Sequence, residues 1–276
     1  MALPLRNGRI RLSQGSLFWR EVGSGPTIVF LHGNWADGSQ WIPLMAQLGD
    51  HFHCLAPDLL GFGESSRLRP TDYSIALQAQ SLAEYLERIC SRSIILVAEG
   101  VGAWTATRYA QSHPEQVRGL VVIAPEGVSA PALKQRWRRT RWLAGRWSLG
   151  AMGLMLFGPL GAMLGQQRWL RRTWQRRRQL RDYEATCRLL FLRRRQDLKA
   201  ERLERQLPEL LVPVKVLQPQ RVSPTTHALN QAYSNCFQRQ VLQPVPVSEA
   251  ELWNAPEVVA EILQDLGVNV IAPGQS

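Results

Sequence analysis

A short apolar run that passes through a turn of very small residues into a helix limits what this chain can become. Ile94 to Val97 is largely β-branched and reads as a buried strand. Ala98-Glu99-Gly100-Val101-Gly102 follows as a tight turn, with helical sequence from about Ala103. A strand with no polar face needs cover on both sides, which points to a layered fold with helices above and below a sheet.

The flanking sequence repeats that pattern. Gly8 to Val22 alternates well enough for two opening strands turning at Gly15. Thr27 to Leu31 is a third strand, ending at His32-Gly33-Asn34-Trp35. Ser39 to Leu48 has helical spacing, and Phe52 to Ala56 is a fourth strand leading into Pro57-Asp58-Leu59-Leu60-Gly61-Phe62-Gly63-Glu64-Ser65. Leu77 to Ile89 places Leu82, Tyr85, Leu86 and Ile89 on one helical face. Leu120 to Ile123 is a further strand, and Val214 to Leu217 a seventh. Alternating strands and helices predict a mostly parallel sheet covered on both faces.

The ordered motifs H-G-N-W, P-D-L-L-G-F-G-E-S, A-E-G-V-G and H-P-E-Q-V-R-G-L-V-V-I-A-P resemble the α/β-hydrolase family over residues 15–127, and more weakly over 210–268. The resemblance implies an eight-stranded sheet and a helical lid inserted after the sixth strand. It divides the chain into a first core part at 1–129, a lid at 130–206 and a second core part at 207–276.

It also implies a serine, an acid and a histidine in that order, the histidine taking the serine's proton and the acid fixing the histidine's tautomer. The serine slot holds Gly100, and Ile94 to Gly102 contains no Ser, Cys, Thr or Asp. The acid slot falls near Val222, and Leu211 to Ser248 contains no Asp or Glu. The histidine slot holds Glu249, in a segment similar to the family's G-H-x-P-x-x-E-x-P-E stretch, and no histidine follows His227. All three slots are degenerate. What would remain is an oxyanion-pocket remnant made by the backbone N–H of Val101 with one from Asn34 or Trp35. Glu99, Glu126, Glu249 and Glu251 are candidate carboxylates at the pocket mouth. His32 and Asp58 are read as loop braces, His227 as a surface or capping histidine.

Charge is segregated. Residues 131–206 hold 20 Lys+Arg against 5 Asp+Glu, or +15, and the rest holds 13 against 17, or −4. Within this insert Ser148 to Leu164 is uncharged, at the short edge for a bilayer span, and broken by Gly150, Gly153, Gly158, Pro159 and Gly161, of which the Gly-Pro step argues for two short helices rather than one. Trp137, Arg138, Arg139, Trp142 and Trp147 precede or open the run, and Trp169, Arg171, Arg172 and Trp174 follow it. One reading is a lid with its arginines in water. The other is an interfacial anchor on anionic lipid, and the two are compatible. A central apolar run fits a nucleic-acid groove poorly. Gln175 to Arg205 reads as helix with Leu180, Tyr183, Cys187, Leu190 and Phe191 as its buried stripe.

The four cysteines lack metal-ligand spacing, so no metal or other cofactor is expected, and Cys54 and Cys90 read as reduced core residues. Met1 to Ile10 has no apolar signal region, which makes the cytoplasm, with peripheral membrane attachment through the insert, the expected location. The expected function is that of a family member without hydrolytic machinery, binding a hydrophobic small molecule or a protein partner. The alternative is an unconventional hydrolase or lyase on acyl or hydrophobic substrates.

Overall fold

The computed structural model describes residues 3–90, 93–133, 135–144 and 167–266. Eight strands form one sheet: β1 (Arg6–Leu12), β2 (Gly15–Val22), β3 (Thr27–Leu31), β4 (His53–Pro57), β5 (Ile94–Glu99), β6 (Val117–Ile123), β7 (Val214–Arg221) and β8 (Leu242–Ser248). Their spatial order is β1-β2-β4-β3-β5-β6-β7-β8. β2 pairs antiparallel with both β1 and β4, and every other pairing is parallel.

The period-two geometry of a strand divides the apolar residues between two cores. Val29, Leu31, Leu96, Ala98, Leu120 and Val122 face one side, against helices α2 (Ile75–Ile89) and α3 (Gly100–Ser112). Ile28, Phe30, Ile95, Val97, Val121 and Ile123 face the other, with α1 (Ile42–Leu48). Each β5 residue from Ile94 to Ala98 is at most 2% exposed, as a strand at the centre of a doubly covered sheet must be. Cys54 lies in that core as a free thiol, pushed up to about 12 by burial, and Cys90 is free but only half-buried.

Two boundaries differ from the sequence reading for local reasons. α2 begins at Ile75 because the Ser74 hydroxyl accepts the Leu77 N–H, an N-cap that sets the first turn two residues early. α3 begins at Gly100, not near Ala103, because Gly100 at φ +54° turns the chain from strand to helix within one residue.

Between β6 and β7 lie α4 (Arg138–Ala144), α5 (Gln167–Asp182), α6 (Glu184–Cys187) with a π turn at Arg188–Leu192, and α7 (Arg195–Ala200). The single helix expected over Gln175–Arg205 is therefore interrupted. Tyr183 leaves helical geometry at ψ +46°, and Arg193 is extended, its guanidinium donating to the carbonyls of Arg188 and Leu189 that the π turn leaves open. Leu180, Cys187, Leu190 and Phe191 are buried as the stripe requires, whereas Tyr183, at the break, is exposed. The two short helices expected in Ser148–Leu164 lie outside the described residues.

After β7, α8 (Pro224–Ser234) leads to β8, an edge strand carrying Pro244 and Pro246, and α9 (Pro256–Asp265) packs back beside α1. Among the described residues no helix is long and apolar enough to cross a membrane.

Candidate functional site at the β5–α3 turn

The turn after β5 is held by backbone shape before any side chain acts. Gly100 needs its left-handed φ, and a Cβ on Gly102 would stand 2.5 Å from the His32 carbonyl oxygen, so the start of α3 passes β3 only if that residue is bare. The space over Gly100 is filled. A Cβ built there would lie 2.6 Å from Oδ1 of Asn34. That oxygen accepts the Val101 N–H at 2.8 Å, and Asn34 Nδ2 donates to Glu126 Oε1 at 2.9 Å. An N–H on one side and a carboxylate on the other fix which way the amide points.

This corrects one expectation. Val101 does offer its N–H at the turn, but not to an open oxyanion pocket: the Asn34 carboxamide takes that donor. A side chain read only for its backbone N–H supplies the internal ligand instead. The available signal was complementarity of size, a side chain present at Asn34 opposite one absent at Gly100.

Glu126 is 3% exposed and joins the turn to the insertion. Its N–H donates to the Gly100 carbonyl at 3.1 Å, and Arg136 ion-pairs with its second carboxylate oxygen. The Arg136 guanidinium lies 4.6 Å from the Trp137 ring centroid, and Trp137 stacks on Phe191 and meets Trp35 edge-on. The Thr186 hydroxyl donates to the Asn34 carbonyl. Turn, asparagine, glutamate and insertion thus form one continuous polar chain. Trp137 is turned into the protein here, which removes it from the expected lipid-contact set, while Trp35 keeps 39% of its surface exposed beside Tyr183.

The other carboxylates do not converge on the turn. Glu99 Oε2 accepts from Gln40 Nε2 at 2.9 Å and from Trp253 Nε1 at 3.1 Å, beneath Gly33. Burial pushes its carboxyl up; the Gln40 and Trp253 hydrogen bonds pull it back, and the Glu249 charge adds to the rise. The stability tied to this group is full below its ordinary value of 4.5 and is lost as pH rises through the folded value. Glu99→Gln is therefore expected to raise the melting temperature at neutral pH, with the gain shrinking toward pH 4; a thermal-shift series across pH checks it.

Glu249 accepts from the Ser223 N–H at 2.7 Å and from the Thr226 hydroxyl, so it braces the start of α8, which Ser223 caps by accepting the Thr226 N–H. Glu249 and Ser223, the residue after Val222, are thus neighbours. Glu251 is exposed and ties the Ser248 turn.

His32 is buried, its Nε2 accepting the Leu59 N–H at 3.1 Å and its Nδ1 facing the Gly33 carbonyl at 3.0 Å. Burial holds it below the ordinary imidazole value, so it stays neutral. Asp58 accepts from Arg20 at 2.7 Å and from the N–H groups of Gly38 and Glu64. His227 is exposed on α8, and no hydrogen bond of a histidine reaches residues 98–102 among the described residues. Nor do the described residues gather three or more metal-type ligands.

Of the remaining insertion residues, Arg138, Trp142, Arg171, Arg172 and Trp174 are exposed. Trp147 and the side chains of Arg139 and Trp169 lie outside the described residues.

Sheet order, the glycine turn and the flanking loops define the class, and residues 26–225 match the alpha/beta hydrolase fold family. The chain belongs to that family. It is 32% identical over 111 residues to an uncharacterized protein of Mycobacterium tuberculosis, a stretch covering 40% of this chain and 32% of that protein. It is 34% identical over 105 residues to the pimeloyl-[acyl-carrier protein] methyl ester esterase of Pseudoalteromonas atlantica, covering 38% of this chain and 39% of the esterase. The chain therefore spans well under half the length of these curated relatives. In fold it is similar to a bacterial membrane phospholipase A, with a TM-score of 0.65 and 22% identity over 95% of this chain and 85% of that one.

Proposed function

We propose that this protein is a non-hydrolytic member of the family, whose core serves as a binding module for a hydrophobic small molecule or a protein partner. The observation that carries this is the occupied turn: Gly100 supplies no nucleophile, and Asn34 fills the space and takes the Val101 donor. Loss of the serine and histidine of such a machinery lowers the rate by about six orders of magnitude. Val222 and Glu249 in the other two slots support the same reading, Glu249 being engaged by Ser223 and Thr226 at the start of α8.

A fluorophosphonate probe and a panel of short acyl esters test it. The expected result is no labelling and no turnover above buffer. Labelling at one site per chain, or ester turnover, overturns it.

The rival reading is an unconventional hydrolase on acyl esters. Its support is the esterase relative and the buried Glu126 carboxylate, one residue from the turn through Asn34. It requires turnover that Glu126→Gln or Glu249→Gln abolishes.

A further inference from the structure

The insertion carries a surface that the core reading does not use. On α5, Leu170, Arg177 and Leu180 face inward, and Arg168, Arg171, Arg172, Arg176, Arg178 and Arg181 are exposed. At 100° per residue the six exposed arginines spread around more than half of the helix. None of the six has a carboxylate partner among the described residues, and the one acid on the helix is Asp182. Neighbouring arginines elsewhere in the insertion are treated differently: Arg136, Arg188 and Arg193 each hold a glutamate.

Two tryptophans interrupt this wall. Trp174 is 40% exposed and lies between Arg171 (three residues before) and Arg178 (four after) on one face. Trp142 is 51% exposed on α4, which packs against α5. Partly exposed indoles set among guanidinium groups make this surface amphipathic, apolar rings within a cationic wall.

We propose that the exposed α4–α5 face docks on a bilayer containing anionic lipid, with Trp142 and Trp174 at headgroup depth and the α5 arginines on lipid phosphates. The chemistry fits both halves of the surface. Guanidinium groups bind phosphate as bidentate donors, and indole rings settle at the polar–apolar boundary. An acidic protein or a nucleic acid would also match the arginines, and the test below separates those occupants from lipid. The charge distribution sets the orientation: +15 within residues 131–206 against −4 elsewhere turns the insertion toward an anionic surface and the body away. The docking rests on the two described helices and is independent of whether the core hydrolyses anything.

The test is flotation of the full chain with phosphatidylcholine vesicles, with and without phosphatidylglycerol, at low and high salt. Binding is expected only with phosphatidylglycerol and is expected to weaken with salt. Reversing Arg171, Arg172 and Arg178 to glutamate should weaken it on the order of 100-fold. Trp142→Ala with Trp174→Ala should remove the blue shift of tryptophan emission on binding while circular dichroism stays unchanged. This second variant decides the matter if the arginine variant does not fold. Equal binding to both vesicle types overturns the proposal, as does wild-type binding by the folded arginine variant. Binding to polyuridine or polyglutamate with no vesicle binding overturns it too.

Discussion

Gly100→Ser is expected to destabilise the protein by about 2–5 kcal/mol and to leave it inert toward a fluorophosphonate. Two penalties combine. An L residue held in left-handed backbone costs about 1–2 kcal/mol. The new Cβ would also stand 2.6 Å from Asn34 Oδ1, so the amide must leave and the Val101 N–H loses its partner, worth about 1–3 kcal/mol if it stays buried. If these penalties share Asn34, adding Asn34→Gly should recover more than about 1 kcal/mol relative to the sum of the single variants, the non-additivity expected of side chains in contact. Urea denaturation of the four proteins measures it. Additive costs would mean that the asparagine does not occupy the nucleophile's place. Neither variant should react, since no imidazole stands ready to take a proton from the new hydroxyl.

Asp58→Ala should have the largest effect of any single change outside the apolar cores, about 3–5 kcal/mol in the same assay. The Asp58 side chain is fully buried, and its carboxylate accepts from Arg20 and from two backbone N–H groups in different loops. Truncation strands a guanidinium whose remaining acids are farther away, Asp37 at 3.8 Å and Glu64 at 4.0 Å. Asp58→Asn keeps the shape and part of the accepting capacity, so its loss should be smaller. A loss below about 1 kcal/mol for the alanine variant would show that Arg20 finds full compensation elsewhere.

Much of the architecture could be read along the chain because its signals are local. Ile94–Val97 is apolar on both faces, and only the middle of a covered parallel sheet suits such a strand. His32, Asp58 and the glycines at 61 and 63 announce tight loops through residue type alone, and Gly61 and Gly63 do adopt positive φ. The site was less legible because it depends on partners far apart in sequence. Asn34 meets Val101 and Glu126 across 67 and 92 residues, and no periodicity encodes those contacts. The same limit explains Trp137. Its arginine neighbours suggest solvent or headgroups, and only the fold brings Phe191 under its ring. The break at Tyr183 escaped a helical reading because neither glycine nor proline marks it.

The two prolines of β8 have a consequence for self-association. Residues two apart along a strand send their N–H groups to the same side, so Pro244 and Pro246 strip one row of donors from this border of the sheet. β8 already pairs with β7 on its inner side. A second molecule arriving along β8 would find carbonyls with few amides to match them, and the sheet should not continue into a neighbour across this border.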